Sequence, residues 1–268
     1  MQRTPNSWYG VYGTAENDVW VVGSKVDYNP SPPPPLNETS FIIHYDGSKW
    51  VEHKVNTSSA VYNVYAIKPN DVWACGADGI VYHYNGSHWD IDTIKISKSA
   101  DDFFQLNNMI KHNEKLYCLG RNATEQGAKL TYYFFENINN DWIKLDSFII
   151  EGDNLEYKWG PAAFYVSKIN KLYSHGFGGV FEYSGSEWIN IFKTEYAITD
   201  MKGEENNFVL SGDFGHVFHY NGKDWKELTN LYREEVVYSG VWIDKDEVFV
   251  IGWDLSGYPQ TTLVWHGK

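Results

Sequence analysis

Three histidines hold the same place in a repeated phrase, one residue before a tyrosine, at His44, His83 and His219. Imidazole nitrogens are common ligands of transition metals, so an aligned set raises the question of a metal site. Each histidine belongs to a different copy of the phrase, however, which puts the three rings at one radius on separate structural units. That separation exceeds what one metal ion bridges. We therefore expect packed, hydrogen-bonded histidines, no metal site and no cofactor.

Carboxylates are the second residue type that could do chemistry. A glycosidase needs two carboxylates facing each other across the sugar, and the aspartates in suitable predicted loops are Asp78, Asp101, Asp102, Asp153, Asp213 and Asp254. With 35 acidic residues in the chain, neighbouring carboxylates are expected by chance. A hydrolase of sialic acid would also need an arginine cluster, and the chain has only Arg3, Arg121 and Arg233. Because no nucleophile elbow, phosphate loop or metal-binding loop is present either, we name no catalytic residue.

The charge balance argues against nucleic acid as a partner. The formal net charge is −13, from 35 acidic and 22 basic residues among 268, and so acidic a surface repels phosphate. Cys75 and Cys118 stand in apolar runs and are expected to be buried thiols. No apolar run reaches the roughly 18 residues of a membrane helix, so no membrane insertion is expected. No secretory signal peptide is visible at the start of the chain.

Two phrases recur along the chain and define its organisation. The first is an apolar run that ends in glycine, as in DVWVVG and DVWACG, at Gly23, Gly76, Gly120, Gly176, Gly212 and Gly252. Three residues before the glycine stands an aromatic side chain in five of the six copies, at Trp20, Trp73, Tyr117, Tyr173 and Phe249. The second phrase is aromatic, turn, aromatic, as in HYDGSKW. Its tyrosines are Tyr45, Tyr84, Tyr183 and Tyr220, and its tryptophans are Trp50, Trp89, Trp142, Trp188 and Trp225.

Each unit contains four short runs rich in β-branched and aromatic residues, separated by polar turns, which predicts four antiparallel strands. The units recur about every 45 residues, the spacing of propeller blades. We predict one all-β domain over residues 1–268, a six-bladed β-propeller with four antiparallel strands per blade. The expected blades cover about 8–55, 61–96, 103–147, 157–193, 196–230 and 236–268, the last one completed by 1–7.

The last unit ends where its fourth strand should begin, at VWHGK. Aligning Trp8 with Val61 sets Met1 opposite Lys54, which lies in the predicted outer strand of the first unit. We therefore predict that the N-terminal segment supplies the outermost strand of the last blade and closes the ring by hydrogen bonds.

The repeated aromatic phrase is interpreted as scaffold. Its Asp46-Gly47 and Asn85-Gly86 pairs predict hairpin turns in which both central residues have positive φ. A four-stranded sheet of this size cannot bury both faces alone, so the flanking rings, such as Tyr84 and Trp89, are expected to pack between neighbouring blades.

The pattern resembles the kelch repeat, in which a Tyr-Asp pair precedes tryptophan and an earlier strand ends in glycine. The matching elements are Tyr45-Asp46…Trp50, Tyr84-Asn85…Trp89, Tyr183-Ser184…Trp188 and Tyr220-Asn221…Trp225. The double glycine of kelch units is matched only by Gly178-Gly179, in a shifted place. The phrases also resemble uncharacterised bacterial surface propellers. Both resemblances cover nearly the whole chain and imply a fold, but no activity, because propellers carry many unrelated functions.

Connection lengths indicate which face of the predicted propeller binds. All long insertions fall between second and third strands (24–40, 121–129 and 253–262) or between blades (95–102 and 147–160), and these connections share one face. Loops on a rigid scaffold commonly carry binding residues. The expected binding residues are Tyr28, Arg121, Tyr157, Trp159, Arg233, Trp253, Asp254 and Tyr258, with the aromatic ones exposed. The alternative for each ring is that it only pins its own loop.

We expect a non-catalytic binding module of a bacterial surface or extracellular protein, which recognises a glycan or a protein partner. The alternatives are a carbohydrate-active enzyme, glycosidase or sialidase-like, with carboxylates at the channel mouth, and an intracellular kelch-like adaptor. A dry aromatic patch on the insertion-bearing face would favour a protein partner. An isolated stacking shelf flanked by amides would favour a glycan, and a close carboxylate pair an enzyme.

Overall fold

The computed structural model describes residues 6–28, 36–55, 57–124, 127–204, 206–244 and 247–267. They form 23 β-strands: β1 (Asn6–Ala15), β2 (Asp18–Tyr28), β3 (Leu36–Tyr45), β4 (Trp50–His53), β5 (Val61–Lys68), β6 (Asp71–Gly76), β7 (Ile80–Tyr84), β8 (Trp89–Thr93), β9 (Phe103–His112), β10 (Lys115–Ala123), β11 (Lys129–Ile138), β12 (Asp141–Glu151), β13 (Ala163–Val166), β14 (Leu172–Gly176), β15 (Gly179–Tyr183), β16 (Trp188–Phe192), β17 (Ile198–Glu204), β18 (Asn207–Gly212), β19 (Val217–Tyr220), β20 (Trp225–Glu227), β21 (Val236–Asp244), β22 (Glu247–Asp254) and β23 (Thr261–Gly267).

Successive strands pair antiparallel, in chain order, into six sheets. Five sheets have four strands, and the sixth has β21, β22 and β23 within the described residues. The fold class is therefore the predicted one, an all-β, six-bladed β-propeller. The only helical turn in the described segments is a 3₁₀ turn at Asp213–Gly215, and none of those segments contains a helix long and apolar enough to cross a bilayer.

The predicted closure of the last blade falls on Met1–Pro5, which lie outside the described residues. Asn6 and Ser7, which directly follow, belong to β1, where they pair with Lys25 and Ser24 of β2. Closure by the N-terminal segment thus stays a prediction.

The chain divides into two compact units, Met1–Gly152 with the first three sheets and Asp153–Lys268 with the last three. In the first unit, apolar clusters fill the spaces between neighbouring sheets. One joins the first and second sheets through Trp20, Val22, Ile42, Val61, Val64, Ala66, Val72, Ala74 and Tyr82. The other joins the second and third sheets through Cys75, Val81, Ile94, Phe104, Leu106, Met109, Leu116, Cys118 and Phe135.

The second unit has the same construction. Its clusters are Tyr173, Val180, Ile198, Met201, Phe208 and Leu210 between the fourth and fifth sheets, and Val209, Val217, Val236, Tyr238, Val241 and Val250 between the fifth and sixth. Repeated tryptophans pack against the clusters of both units, at Trp89, Trp142 and Trp225. Trp188 stacks on Phe164 at 6.1 Å, whereas Trp50 is half exposed.

The repeated turn differs from the predicted one. Gly47 and Gly86 have φ of 89° and 92°, but neither Asp46 nor Asn85 has positive φ. The residue before the glycine uses its side chain instead: Asp46 Oδ1 accepts hydrogen bonds from the Ser48 amide (2.9 Å) and hydroxyl (2.7 Å) and from the Lys49 amide (2.9 Å). The loop therefore has four residues held by a side-chain acceptor, and the two-residue prediction is wrong because an aspartate or asparagine side chain can replace a backbone turn bond.

Candidate functional site

Two of the aligned histidines, His44 and His83, make structural contacts. His44 Nε2 donates to Asp18 Oδ1 at 2.6 Å, and His83 Nε2 donates to Asp71 Oδ1 at 2.9 Å. Each imidazole lies flat on an indole, with centroid distances of 4.0 Å to Trp20 and 3.9 Å to Trp73. In the described part of the chain, no three His, Cys, Asp or Glu side chains converge as metal ligands.

The candidate site lies where the second strand of a sheet ends and the third begins, together with the segment that leads to the first strand. We call this end of a sheet the insertion end, and the opposite end, with the connections from first to second and third to fourth strand, the short-turn end. Antiparallel pairing puts these connections at the same end of each sheet.

Trp159 was expected to be exposed at an insertion end, and this expectation is wrong, because the indole is 0% exposed. The amide of the next residue, Gly160, donates to Ser174 Oγ at 3.1 Å. A Cβ on Gly160 would meet the His175 backbone at 2.2 Å, so the segment runs directly against β14. This close approach draws the neighbouring indole into the interior.

Tyr157 lies in the same segment and stacks on Phe177, with centroids 5.9 Å apart and an interplanar angle of 19°. Partial burial raises the pKa of its phenol above the ordinary value. Phe177 belongs to the turn between β14 and β15, so Tyr157 packs its segment against the insertion end of the fourth sheet.

At the sixth sheet, the predicted residues separate into exposed rings and a charged pair. Trp253, in β22, is 49% exposed, and Tyr258, next to the cis peptide bond to Pro259, is 98% exposed. Asp254 Oδ1 accepts from the Ser256 amide at 2.9 Å. The pKa of Asp254 is lowered, chiefly by the hydroxyl and amide of Ser256 and additionally by the charge of Arg233.

Arg233 also lies over the Trp265 ring, 5.1 Å from its centroid. The other two predicted residues belong to the first unit: Arg121 is half-buried in β10, and Tyr28 ends β2, with its side chain outside the described part of the chain. The structure thus brings Arg233 and Asp254 together and puts Arg121 and Tyr28 in the other unit.

Sequence reasoning missed a group of rings at the insertion ends of the second unit, Tyr196, Phe214, His216 and Tyr232, which we call the aromatic surface. Tyr196 stacks on His216 at 3.6 Å and contacts Phe214 at 6.3 Å. His216 also lies 5.1 Å from the Tyr232 ring. His216 itself is buried and donates through Nδ1 to Glu227 Oε1 at 2.6 Å, whereas the other three rings are exposed.

Phe214 has a left-handed backbone, with φ 53° and ψ 33°, and its side chain is 55% exposed. The same turn position is held by Asp78 in the second sheet, with φ 58°, and by Gly178 in the fourth, with φ 81°. Aspartate and glycine tolerate this conformation, but for a bulky residue it is an outlier that costs free energy. An exposed ring gains little from packing in return, so the choice of phenylalanine points to function.

The turn with Phe214 is held by its neighbours. A Cβ on Gly215 would meet the Arg233 carbonyl oxygen at 2.2 Å, so the turn lies directly against the segment that also contributes Tyr232. Arg233 is one of the predicted residues, and its charge contributes to the lowered pKa of Asp254. The sequence signal for the missed site is the aromatic residue in DFG, where the second sheet has ADG.

No protein-family profile matches the chain, and no curated protein sequence matches it. Among solved structures, YCF48 bound to D1 peptide is 13% identical, with a TM-score of 0.61 over 98% of this chain and 79% of its own. YCF48 from Cyanidioschyzon merolae is 12% identical, with a TM-score of 0.55 over 95% of either chain. Sqt1 from Chaetomium thermophilum is 11% identical, with a TM-score of 0.52 over 97% of this chain and 86% of its own. At these identities the likeness concerns the fold alone, and the kelch-like assignment stays a prediction.

Proposed function

We propose that this chain is a non-catalytic binding module whose aromatic surface binds a segment of a partner polypeptide. The observation that carries the proposal is Phe214, an exposed ring that the fold holds in a left-handed turn next to Tyr196. Exposed aromatic rings in a rigid frame supply large contact area with little loss of conformational entropy, and such rings dominate protein interfaces. YCF48, which shares the fold, is solved with a bound peptide.

The charges near the aromatic surface indicate the character of the segment. Glu227 bonds to His216, and Asp213 precedes Phe214. Glu234 and Glu235 follow Arg233, so acids outnumber bases locally as they do in the whole chain. We infer a partner segment that combines apolar anchors with lysine or arginine, because complementary charge speeds association and suppresses wrong partners.

We place the protein at a cell surface or outside the cell. This setting rests on its acidic composition, scarce cysteines and aromatic-rich loops. Protease treatment of intact cells that express a tagged chain tests it: loss of the tag supports the placement, and protection until lysis contradicts it.

A random peptide library displayed on phage, selected on the intact protein, tests the binding function. We expect enriched peptides with aromatic or apolar anchors beside basic residues. Phe214→Asn should lower the affinity for these peptides at least about tenfold, a loss of roughly 1.4 kcal/mol in binding free energy. Asparagine tolerates the left-handed turn, so this variant should fold at least as stably as the wild type.

Ile189→Ala serves as the control, because Ile189 is equally exposed in the same unit but lies on the outer strand β16. Its effect on peptide affinity should be within about twofold. Peptides that bind Phe214→Asn as well as wild type would contradict the proposal. A selection that enriches no peptide would contradict it too, as would a separate glycan-array screen that finds a glycan whose binding needs Trp253.

A further inference from the structure

A cleft of about 320 Å³ opens between the second and third sheets, at their short-turn ends and within the first unit. Trp73 and Trp142 form its walls, with ring centroids 6.2 Å apart and planes at 81°. Asp90, Asp92 and Asn137 supply polar atoms to it. The aromatic surface belongs to the second unit, so the two sites share no residue.

The chain contains a filled version of the same groove, between the first and second sheets. There Trp20, the repeat equivalent of Trp73, is fully buried, with His53, Tyr84 and Trp89 at ring distances of 5.0, 5.3 and 5.7 Å. His53 and Tyr84 occupy the space that stays open one sheet later.

Strand register identifies which side chains differ between the filled groove and the open cleft. Tyr84 pairs with Trp89 across β7 and β8, as Asn137 pairs with Trp142 across β11 and β12. His53 and Asp92 are likewise equivalent, because each lies three residues after the first tryptophan of its strand. Two rings are therefore replaced by the short polar side chains of Asn137 and Asp92, and the cleft is the space that those rings would fill.

The remaining walls are held rigidly. His83 stacks on Trp73 at 3.9 Å with an angle of 12°, and its Nε2 donates to Asp71. Trp73 Nε1 donates to the same carboxylate at 3.2 Å. The indole that lines the cleft is thus fixed on one face and by its N–H, so it offers a preformed apolar surface.

The polar atoms of the cleft call for a ligand with both donors and acceptors. Asn137 Nδ2 is buried and has no hydrogen-bond partner within the described ranges, while its Oδ1 accepts from the Asn140 amide. Asp92 Oδ1 accepts from the Thr93 amide at 2.7 Å, which leaves Oδ2 open to a donor. Hydroxyl groups both donate and accept hydrogen bonds, so a polyol can pair with the donor Asn137 Nδ2 and with the acceptor Asp92 Oδ2 at the same time.

The charge of the cleft excludes an anionic ligand. Asp90 and Asp92 are carboxylates; Asp90 accepts from Asn85 Nδ2 at 3.2 Å and lies 3.2 Å from His88 Nε2. No lysine or arginine is found among the described residues that line the space. A phosphate or carboxylate would be repelled there. An ammonium group would be attracted by the carboxylates, but it has no lone pair to accept a hydrogen bond from Asn137 Nδ2.

The corresponding groove between the fourth and fifth sheets shows that open space alone is not enough. It measures about 280 Å³ and keeps the repeated rings Tyr220 and Trp225. Its carboxylate, Glu182, is already paired with Lys171 at 2.8 Å. This carboxylate thus has a lysine partner within the groove wall itself, and no lysine is found among the described residues that line the cleft between the second and third sheets.

We propose that the cleft between the second and third sheets binds one neutral sugar unit. Hydroxyls of the sugar bond to Asp90, Asp92 and Asn137, and its C–H face lies against an indole wall, an arrangement that matches amphipathic ring chemistry. Ligand pockets range from about 300 to 1,000 Å³, so a cleft at the lower limit takes a single unit and not a chain.

Saturation-transfer NMR and calorimetry with methyl glycosides of neutral monosaccharides test the proposal on the intact protein. We expect millimolar binding of at least one of them. Asn137→Tyr restores the ring of the filled groove and should weaken binding at least about tenfold while the melting temperature stays equal or rises. Asp92→Asn should weaken binding by a smaller factor, because one oxygen acceptor is replaced by a donor.

Ser186→Tyr adds the same ring in an exposed turn of the other unit and should bind the sugar as wild type does. Phe214→Asn should also leave sugar binding unchanged. A failure of the sugar proposal can therefore be told apart from a failure of the peptide proposal. Absence of binding by every neutral glycoside overturns the proposal. Binding that persists in Asn137→Tyr, or binding of choline or glucuronate in place of neutral sugars, overturns it as well.

Discussion

At the scale of single residues, side chains that could take part in catalysis or metal binding, such as Asp18 and His44, make structural hydrogen bonds instead. Asp18 is buried and accepts hydrogen bonds from both the Thr14 hydroxyl and His44. His44 in turn lies on the Trp20 ring. The imidazole thus fixes an indole of the core, and the carboxylate fixes the imidazole.

Asp18→Ala is expected to reduce the free energy of unfolding by about 1–3 kcal/mol, because it leaves a partly buried imidazole N–H and a hydroxyl without their acceptor. Urea denaturation measures the change. Asp141→Ala, at the exposed start of β12 in the same unit, should change stability by less than about 0.5 kcal/mol. Equal effects of the two substitutions would contradict a structural role for the Asp18–His44 pair.

At the scale of elements, the repeated glycine of the second strand has a steric cause at Gly76 and Gly23. Gly76 lies where β6 passes the start of β5, and a Cβ there would be 1.9 Å from the Ala60 carbonyl oxygen. Gly23 meets Ser7 in the same way, also at 1.9 Å. At these two positions glycine is needed because the backbone of the first strand lies in contact with it, which is a property of the packed sheet and not of the strand alone.

Gly76→Ala should therefore lower the free energy of unfolding by about 1–3 kcal/mol or more, since backbone must move to admit the methyl group. Gly257 has no atom within 4 Å of its built Cβ. Gly257→Ala is the matched control and should be neutral within about 0.5 kcal/mol. A thermal-melting comparison decides, and an undisturbed Gly76→Ala protein would refute the close-approach explanation.

At the scale of the whole molecule, buried histidines make stability depend on pH. Burial lowers the pKa of His175 below its ordinary value, against a smaller opposing effect of Asp200. Burial also lowers the pKa of His53, with a further contribution from His44. In both cases the unfolded chain binds more protons near neutrality. Their stabilisation is thus complete above about pH 6.5 and is lost as the pH falls below that value.

His175→Asn should flatten this dependence, since asparagine can donate to the Ile198 carbonyl oxygen, the acceptor of His175 Nδ1, but takes up no proton. The loss of unfolding free energy between about pH 7.5 and 5.5 should shrink by up to about 1.4 kcal/mol per pH unit. His88→Asn, at an exposed position, should keep the wild-type slope. Identical slopes in all three proteins would show that His175 is not the titrating group.

The sequence by itself determined the strands, the sheets and the fold class, because they follow from local patterns: polar turns, alternating apolar residues and a period that repeats. Local patterns do not fix how a segment crosses its neighbour. Trp159 in sequence looks like a loop ring, and only the contact of Gly160 with β14 shows that it is buried.

The proposed binding surface can be recognised only in the tertiary structure. Phe214 is one of many aromatic residues in the sequence. Only a comparison of the backbone angles shows that it occupies the same left-handed turn position as Asp78 and Gly178. The open cleft is likewise visible only after strand register equates Asn137 with Tyr84. The physical reason is that exposure, strain and empty volume are properties of side chains from different strands brought together, and spacing along one chain does not encode them.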